Sequence, residues 1–405
     1  MAADAQTQPE VYFNPFDEAY RANPYPYYKP LYERPPVLMN LMVPFALVGR
    51  YADAISILRD HARFSSVPLK NNAATQPQMD LFGGAATVLF SDPPDHTRLR
   101  RLVSRAFTPK RIKDLEPRIH EITNMLLDRV ASKGEFEVVE DLATPLPVMV
   151  IAQMLGIPGG DYAQFKYWSD RIVERRNIPP GMPVPEEIGR AIKDLGTYFD
   201  AEIEKRRRNP ADDLIGALVT AHEEAEALTA AELRAFVILL LLAGNETTTN
   251  LIGNGMLALG RNPDQLEMLK HERALMPRAI EEMLRYDGPV QSTGRNPLEE
   301  VEVGGTVLKP GTIVLVMIAA ADRDPAQFAE PDKFDIMREP NDHLAFGDGI
   351  HYCLGAALAG MEGTIAFGSV LDRFPRLRLA DPGAEFKYKG SYFLRGLSEL
   401  RMAIQ

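Results

Sequence analysis

The sequence predicts a mainly α protein, a large helical body around one long central helix, with a minor β-sheet region. Three observations carry that prediction. Apolar positions recur at helical spacing through residues 111–131, 190–207 and 264–285. A capping box opens at Thr229, where Thr-Ala-Ala-Glu places Glu232 three residues on, and the helical pattern then runs to Gly260, ahead of Arg-Asn-Pro. At ~1.5 Å per residue this helix is on the order of 45 Å long. Period-two alternation, the mark of strands, is confined to short stretches.

In chain order, residues 36–50 are expected to form a small strand pair. A long irregular connection follows at about residues 64–95, and a second is Ile178-Pro-Pro-Gly-Met-Pro-Val-Pro185. Connections of that kind in a compact protein suit lids or binding loops. Beyond the central helix, residues 264–285 read as one more helix. Val301 to Val316 alternates and turns at Gly304-Gly305 and Pro310-Gly311, as short hairpins do. With no internal repeat, low-complexity segment or Gly/Ser linker to divide it, the chain is expected to form a single domain over residues 1–405.

Composition narrows the function. Lys and Arg number 45 against 56 Asp and Glu, a net charge of −11, which argues against nucleic acid or an anionic membrane as the main partner. The start carries neither a basic n-region nor an apolar h-region. The longest apolar run, Ala235 to Ala243, falls short of the roughly 20 residues of a membrane span. The expectation is a cytoplasmic protein without a membrane anchor. Cys353 is the only cysteine, so an intrachain disulfide, a multi-cysteine zinc site and an iron–sulfur cluster are excluded.

That cysteine sits in His343-Leu-Ala-Phe-Gly-Asp-Gly-Ile-His-Tyr-Cys353-Leu-Gly-Ala-Ala-Leu-Ala. Gly347 and Gly349 allow a tight turn whose N–H groups can point at one sulfur. Leu354-Gly-Ala-Ala-Leu-Ala reads as a helix start, which favours thiolate over thiol. Phe346 can cover the sulfur and exclude water. An isolated cysteine is usually inert and buried; three glycines and an aromatic at this spacing favour a functional thiolate. The pattern alone does not separate a metal ligand from a nucleophile served by His351 or His343 as base.

Phe346-Gly-Asp-Gly-Ile-His-Tyr-Cys353-Leu-Gly355 resembles the haem-binding signature of the cytochrome P-450 family, in its soluble bacterial form, and further motifs appear in the family's order over nearly the whole chain. The resemblance implies the cytochrome P-450 fold and a non-covalently held haem b (iron protoporphyrin IX), with Cys353 as axial thiolate to the iron. Glu282-Met-Leu-Arg285 matches the family's Glu-x-x-Arg, and three-residue spacing lets the two side chains pair on one helix face. Arg338 is implied as the third member of a structural ionic cluster behind the haem loop. Ala243-Gly-Asn-Glu-Thr-Thr248 resembles the oxygen-activation motif, with Glu246 relaying protons from solvent and Thr247 placing them at bound dioxygen. His96, Arg100, Arg295 and His351 match the family's haem-propionate residues, arginine suiting a carboxylate through its planar fork. Phe346 completes the haem contacts. Leu239, Leu242 and Ala243 lead along one face of the central helix to Glu246, and with Val290 and Phe393 are implied to line the substrate pocket.

Two positions depart from the family pattern: Gly360 where arginine is usual, and Asp322 where asparagine is common. Both are expected to lie away from the chemistry, with Gly360 altering charge on the proximal surface. The implied activity is a haem-thiolate monooxygenase inserting one atom of O2 into an apolar, medium-sized organic substrate, by hydroxylation or epoxidation. Its electrons would come from a separate ferredoxin or flavodoxin-type donor with its reductase, since no nicotinamide fingerprint is present. Seven cations, Arg98, Arg100, Arg101, Arg105, Lys110, Arg111 and Lys113, against Asp95 and Asp114 suggest a steering patch for that donor. The alternatives are a peroxide-driven peroxygenase on the same fold, which the Glu246-Thr247 pair disfavours, and a haem-binding sensor without turnover. A cysteine hydrolase ranks last.

Overall fold

The computed structural model describes residues 11–14, 17–40, 44–69, 82–104, 107–176, 178, 182–220, 228–389 and 393–405. Residues 70–81 of the connection expected at 64–95, part of the one at 178–185, and Arg105 lie outside the described residues. The central helix spans Ala230–Arg261, with Thr229 and Glu232 exchanging both bonds of the capping box. It is long and apolar enough to cross a membrane, but 78% of its most apolar stretch is buried inside the protein, as befits a core helix. One half packs with helices Pro109–Asp128, Pro145–Met154, Met276–Asp287 and Ala356–Arg373 around the largest apolar cluster. The other half lies beneath Tyr162–Arg176 and Glu186–Arg208 in a second cluster.

The strands are β1 Val37–Asn40, β2 Pro44–Val48, β3 Phe64–Ser65, β4 Glu135–Glu137, β5 Thr293–Pro297, β6 Val301–Val303, β7 Thr306–Leu308, β8 Ile313–Val316, β9 Arg378–Leu379 and β10 Arg401–Ala403. They form a five-stranded sheet in the order β1-β2-β8-β5-β3, a three-stranded sheet β4-β10-β9, and the β6-β7 hairpin. The expected 36–50 pair is the antiparallel β1-β2 unit. The Gly304-Gly305 hairpin forms, both glycines at positive φ. The Pro310-Gly311 turn instead sends β8 away from β7 to lie parallel to β2 and antiparallel to β5. Residues 264–285 form two helices, Pro263–His271 and Met276–Asp287, joined by a 3-10 turn.

Candidate functional site

The cysteine loop is fixed from several sides before it reaches the sulfur. Gly349 adopts φ +69°, and a Cβ there would come within 2.5 Å of the Leu58 carbonyl oxygen, so glycine is required twice over. Arg59 forks onto Asp348 at 2.8 and 3.1 Å, and the Cys353 amide donates to the Phe346 carbonyl at 2.9 Å. Cys353 is half-buried and free. Burial pushes its thiol up, opposed by the amides of Gly355 and Ala356, which point at the sulfur, and by nearby Arg100. The sulfur thus lies at the opening of helix Ala356–Arg373, where negative charge is favoured.

Four basic side chains converge beside it. His96 and Arg100 are one turn apart on helix Asp95–Ser104. Arg295 projects from β5, and His351 precedes the cysteine by two residues. The His96 and His351 rings have centroids 4.3 Å apart. His351 Nε2 lies 2.9 Å from the Ser66 hydroxyl. Burial, with Arg295, His96 and Arg100 close by, pushes His351 down to about 3. His96 is lowered by burial and then by Arg100, and burial lowers Arg295 to about 10. Among the described residues none of the four forms an ion pair with a carboxylate, and His96 Nε2 is buried without a partner. A cationic hollow with an unpartnered ring nitrogen, next to a cradled thiol, fits a metal-bearing ligand that carries its own carboxylates.

The central helix opens in mid-span. Ala243 is exposed and Leu240, Gly244 and Thr247 are half-buried, although most of their helical neighbours are buried. These four positions share one face by the i, i+3, i+4, i+7 rule. The open stripe therefore runs one residue along from the expected line of Leu239, Leu242, Ala243 and Glu246. Leu239 and Leu242 lie buried in the adjoining cluster. Leu240 is not among the expected lining residues, although counting back from Thr247 by seven finds it. Glu246 is buried. The Thr247 hydroxyl donates to the Ala243 carbonyl at 2.6 Å, and the helix continues unbroken through Gly244. Val290 and Phe393 come from adjoining segments: the Gln291 amide donates to the Phe393 carbonyl and Val290 bridges Leu394. Phe346 is half-buried against the main core, its ring centroid 6.2 Å from that of Tyr352.

Behind the loop, Glu282 and Arg285 are fully buried and pair through two bonds of 2.7 and 2.8 Å. Arg285 also donates to the carbonyls of Asp322, Pro331 and Lys333. Arg338 Nε reaches Glu282 at 3.1 Å. Asp322 is closer to the site than expected. It is 1% exposed, its Oδ1 accepts the Leu344 amide at 2.7 Å, and burial raises it to about 6. The basic patch is smaller than its sequence implies, since Arg98 pairs with Glu232, Arg111 with Asp212, and Arg100 turns into the hollow. Among the described residues of the patch, Arg101, Lys110 and Lys113 are exposed.

Comparison with known proteins agrees with this geometry. The family model described as Cytochrome P450 matches residues 27–387. Cytochrome P450 CYP107DY1 of Priestia megaterium is 40% identical over 390 residues, covering 92% of this chain and 94% of that protein. The 6-deoxyerythronolide B hydroxylase of Saccharopolyspora erythraea is 37% identical over 364 residues, 87% of this chain and 89% of its own. The solved structure of P450BioI in complex with hexadec-9Z-enoic acid ligated acyl carrier protein superposes with a TM-score of 0.87 at 36% identity, covering 96% of this chain and 100% of that one. A thiol cradled at a helix start, a cationic hollow beside it and full-length relatives of one kind lead to a single assignment: the chain belongs to the cytochrome P450 family.

Proposed function

We propose that the chain is a haem-thiolate monooxygenase that places one oxygen atom of O2 in an apolar, medium-sized organic substrate, by hydroxylation or epoxidation. The observation that carries this reading is the Cys353 sulfur, held by two amides at a helix start beside four basic side chains that form no ion pair with a carboxylate among the described residues. Haem b, when bound, supplies the iron redox chemistry that activates dioxygen. Cys353 holds the iron, and the Gly355 and Ala356 amides stabilise the charge on its sulfur. Arg100, Arg295, His96 and His351 take the propionates, relieving the mutual repulsion of the hollow. Phe346 keeps water from the thiolate face.

Glu246 passes protons from solvent to Thr247. The Thr247 hydroxyl, on the open stripe and back-bonded to Ala243, keeps its lone pairs available to accept a proton donor. Leu240, Ala243, Val290 and Phe393 give the substrate an apolar enclosure that selects by shape, with Leu239 and Leu242 backing the helix from the adjoining cluster. The relatives, a 6-deoxyerythronolide B hydroxylase and P450BioI in complex with hexadec-9Z-enoic acid ligated acyl carrier protein, support that class. A ferredoxin or flavodoxin-type donor with its reductase supplies electrons, and Arg101, Lys110 and Lys113 suit an acidic partner.

The reduced carbon monoxide complex tests the reading. It should show the strongly red-shifted Soret band of thiolate ligation, and Cys353→Ser should abolish it; a histidine-type band in the wild type would overturn the assignment. Titration with myristic acid and with 6-deoxyerythronolide B tests the substrate class by displacement of iron-bound water. Spectral shifts given only by small, highly charged compounds would refute an apolar pocket.

A further inference from the structure

The turn of the central helix that carries Glu246 and Thr247 has a second, inward face with polar groups of its own. Asn245 is 4% exposed and Ser169, on helix Tyr162–Arg176, is 0% exposed. Asn245 Nδ2 donates to Ser169 Oγ at 2.7 Å. One turn on, the Thr249 hydroxyl donates to the Ala143 carbonyl at 2.9 Å and lies 3.5 Å from Asn245 Oδ1. Ala143 closes a π-helical turn, Val139–Ala143, a geometry frequent at functional sites. A polar string therefore crosses three elements beside an apolar cluster that includes Phe165, Trp168, Ile172 and Leu241.

Such a string fixes position. Apolar side chains slide past one another at little cost, but a buried amide and hydroxyl are satisfied in only one register. At ~100° per residue, Asn245 and Thr247 lie on nearly opposite sides of the same turn. Any change in how helix Tyr162–Arg176 sits is thus delivered to the backbone one residue before Glu246.

We infer that the Ser169–Asn245 hydrogen bond couples the seating of helix Tyr162–Arg176 to the proton-delivery turn at Glu246 and Thr247, which makes Ser169 and Asn245 positioning residues. This rests on the monooxygenase reading above. With the helix seated, the turn is held in register for proton transfer; with the bond broken, the two move independently.

The test uses the haem-loaded protein and the variants Ser169→Ala and Asn245→Ala, each first shown by its carbon monoxide spectrum to keep thiolate ligation. Hydrogen exchange is followed in residues 162–176 and, separately, in 243–249. Both variants should speed exchange in both segments by about tenfold, the loss of one net buried hydrogen bond, and the double variant should add little to either single one. With a surrogate ferredoxin and reductase, both should release more hydrogen peroxide per NAD(P)H and alter the solvent isotope effect on oxygen consumption. Faster exchange confined to 162–176, or unchanged peroxide yield and isotope effect, would overturn the coupling. A histidine-type spectrum in the wild type would instead defeat the underlying reading.

Discussion

Arg285 offers the most quantitative test of how the haem loop is supported. Its guanidinium makes two bonds to Glu282 and one each to the carbonyls of Asp322, Pro331 and Lys333, all in a site closed to solvent. Arg285→Ala leaves the Glu282 carboxylate with Arg338, the Asp335 amide and Asn341. The charge is therefore not stranded entirely, but three carbonyls lose a donor. Breaking a buried ion pair from one side costs about 3–5 kcal/mol, and the remaining partners place this case at the lower end before the carbonyls are counted. For a chain of 405 residues, an unfolding entropy of ~2.1 cal/mol/K per residue gives roughly 0.85 kcal/mol/K, so the melting point should fall by about 4–6 °C. Arg285→Lys keeps the charge but cannot span both Glu282 oxygens and three carbonyls, so it should lie between Ala and wild type. Melting of the haem-loaded protein, followed together at the Soret band and by far-ultraviolet circular dichroism, measures both. An Ala variant within about 1 °C of wild type would refute the argument that this cluster carries the loop.

Thr247→Ala should leave haem loading and substrate-induced spectral shifts intact while raising hydrogen peroxide released per NAD(P)H, measured as the ratio of peroxide to oxygen consumed. Glu362, 2% exposed, is pushed by burial from its ordinary 4.5 to about 8, and Asp322 from 3.8 to about 6. Both acids bind protons more tightly when folded, so each one's contribution is fully present below its ordinary pKa and is lost as pH rises through the folded value. Glu362→Gln should remove the decline between about pH 4.5 and 8, and Asp322→Asn the part between about 4 and 6, in denaturant titrations run across pH. Lys110→Glu with Lys113→Glu should slow reduction by an acidic ferredoxin and weaken its salt dependence, read by stopped flow, with the haem spectrum unchanged.

Local signals were legible and distant ones were not. Thr229 and Glu232 announce the central helix because a capping box is complete within four residues. The β1-β2 pair is legible for the same reason. The break between Pro263–His271 and Met276–Asp287 was hidden by continuous apolar spacing, although Pro277 suits the first turn of a new helix. The partners of β8 lie outside its own sequence neighbourhood, so alternation next to a Pro-Gly turn reads as a hairpin that does not form. At the site, the cysteine loop declares itself within ten residues. The hollow gathers residues 96, 100, 295 and 351, and only the family pattern could bring those together in advance. The open stripe on the central helix was missed by one position, because apolar residues on both sides of Ala243 leave its angle undetermined until neighbours pack. Asp322 looked remote for lack of any local sign that its carboxylate would reach Leu344.

The parallel pairing of β2 with β8 joins Phe45–Val48 to Ile313–Val316, segments separated by most of the chain. On the ribosome, β2 emerges long before its inner neighbour exists. At about 5–20 residues per second, roughly 15–50 s of synthesis separate the two. Throughout that interval Phe45-Ala-Leu-Val48, which ends up almost wholly buried, has only β1 for company and presents one unpaired, apolar edge. The nascent chain is thus most vulnerable to intermolecular strand pairing through its N-terminal strands, and a chaperone that shields them until Val316 clears the exit tunnel would raise the yield of folded protein without touching the haem site.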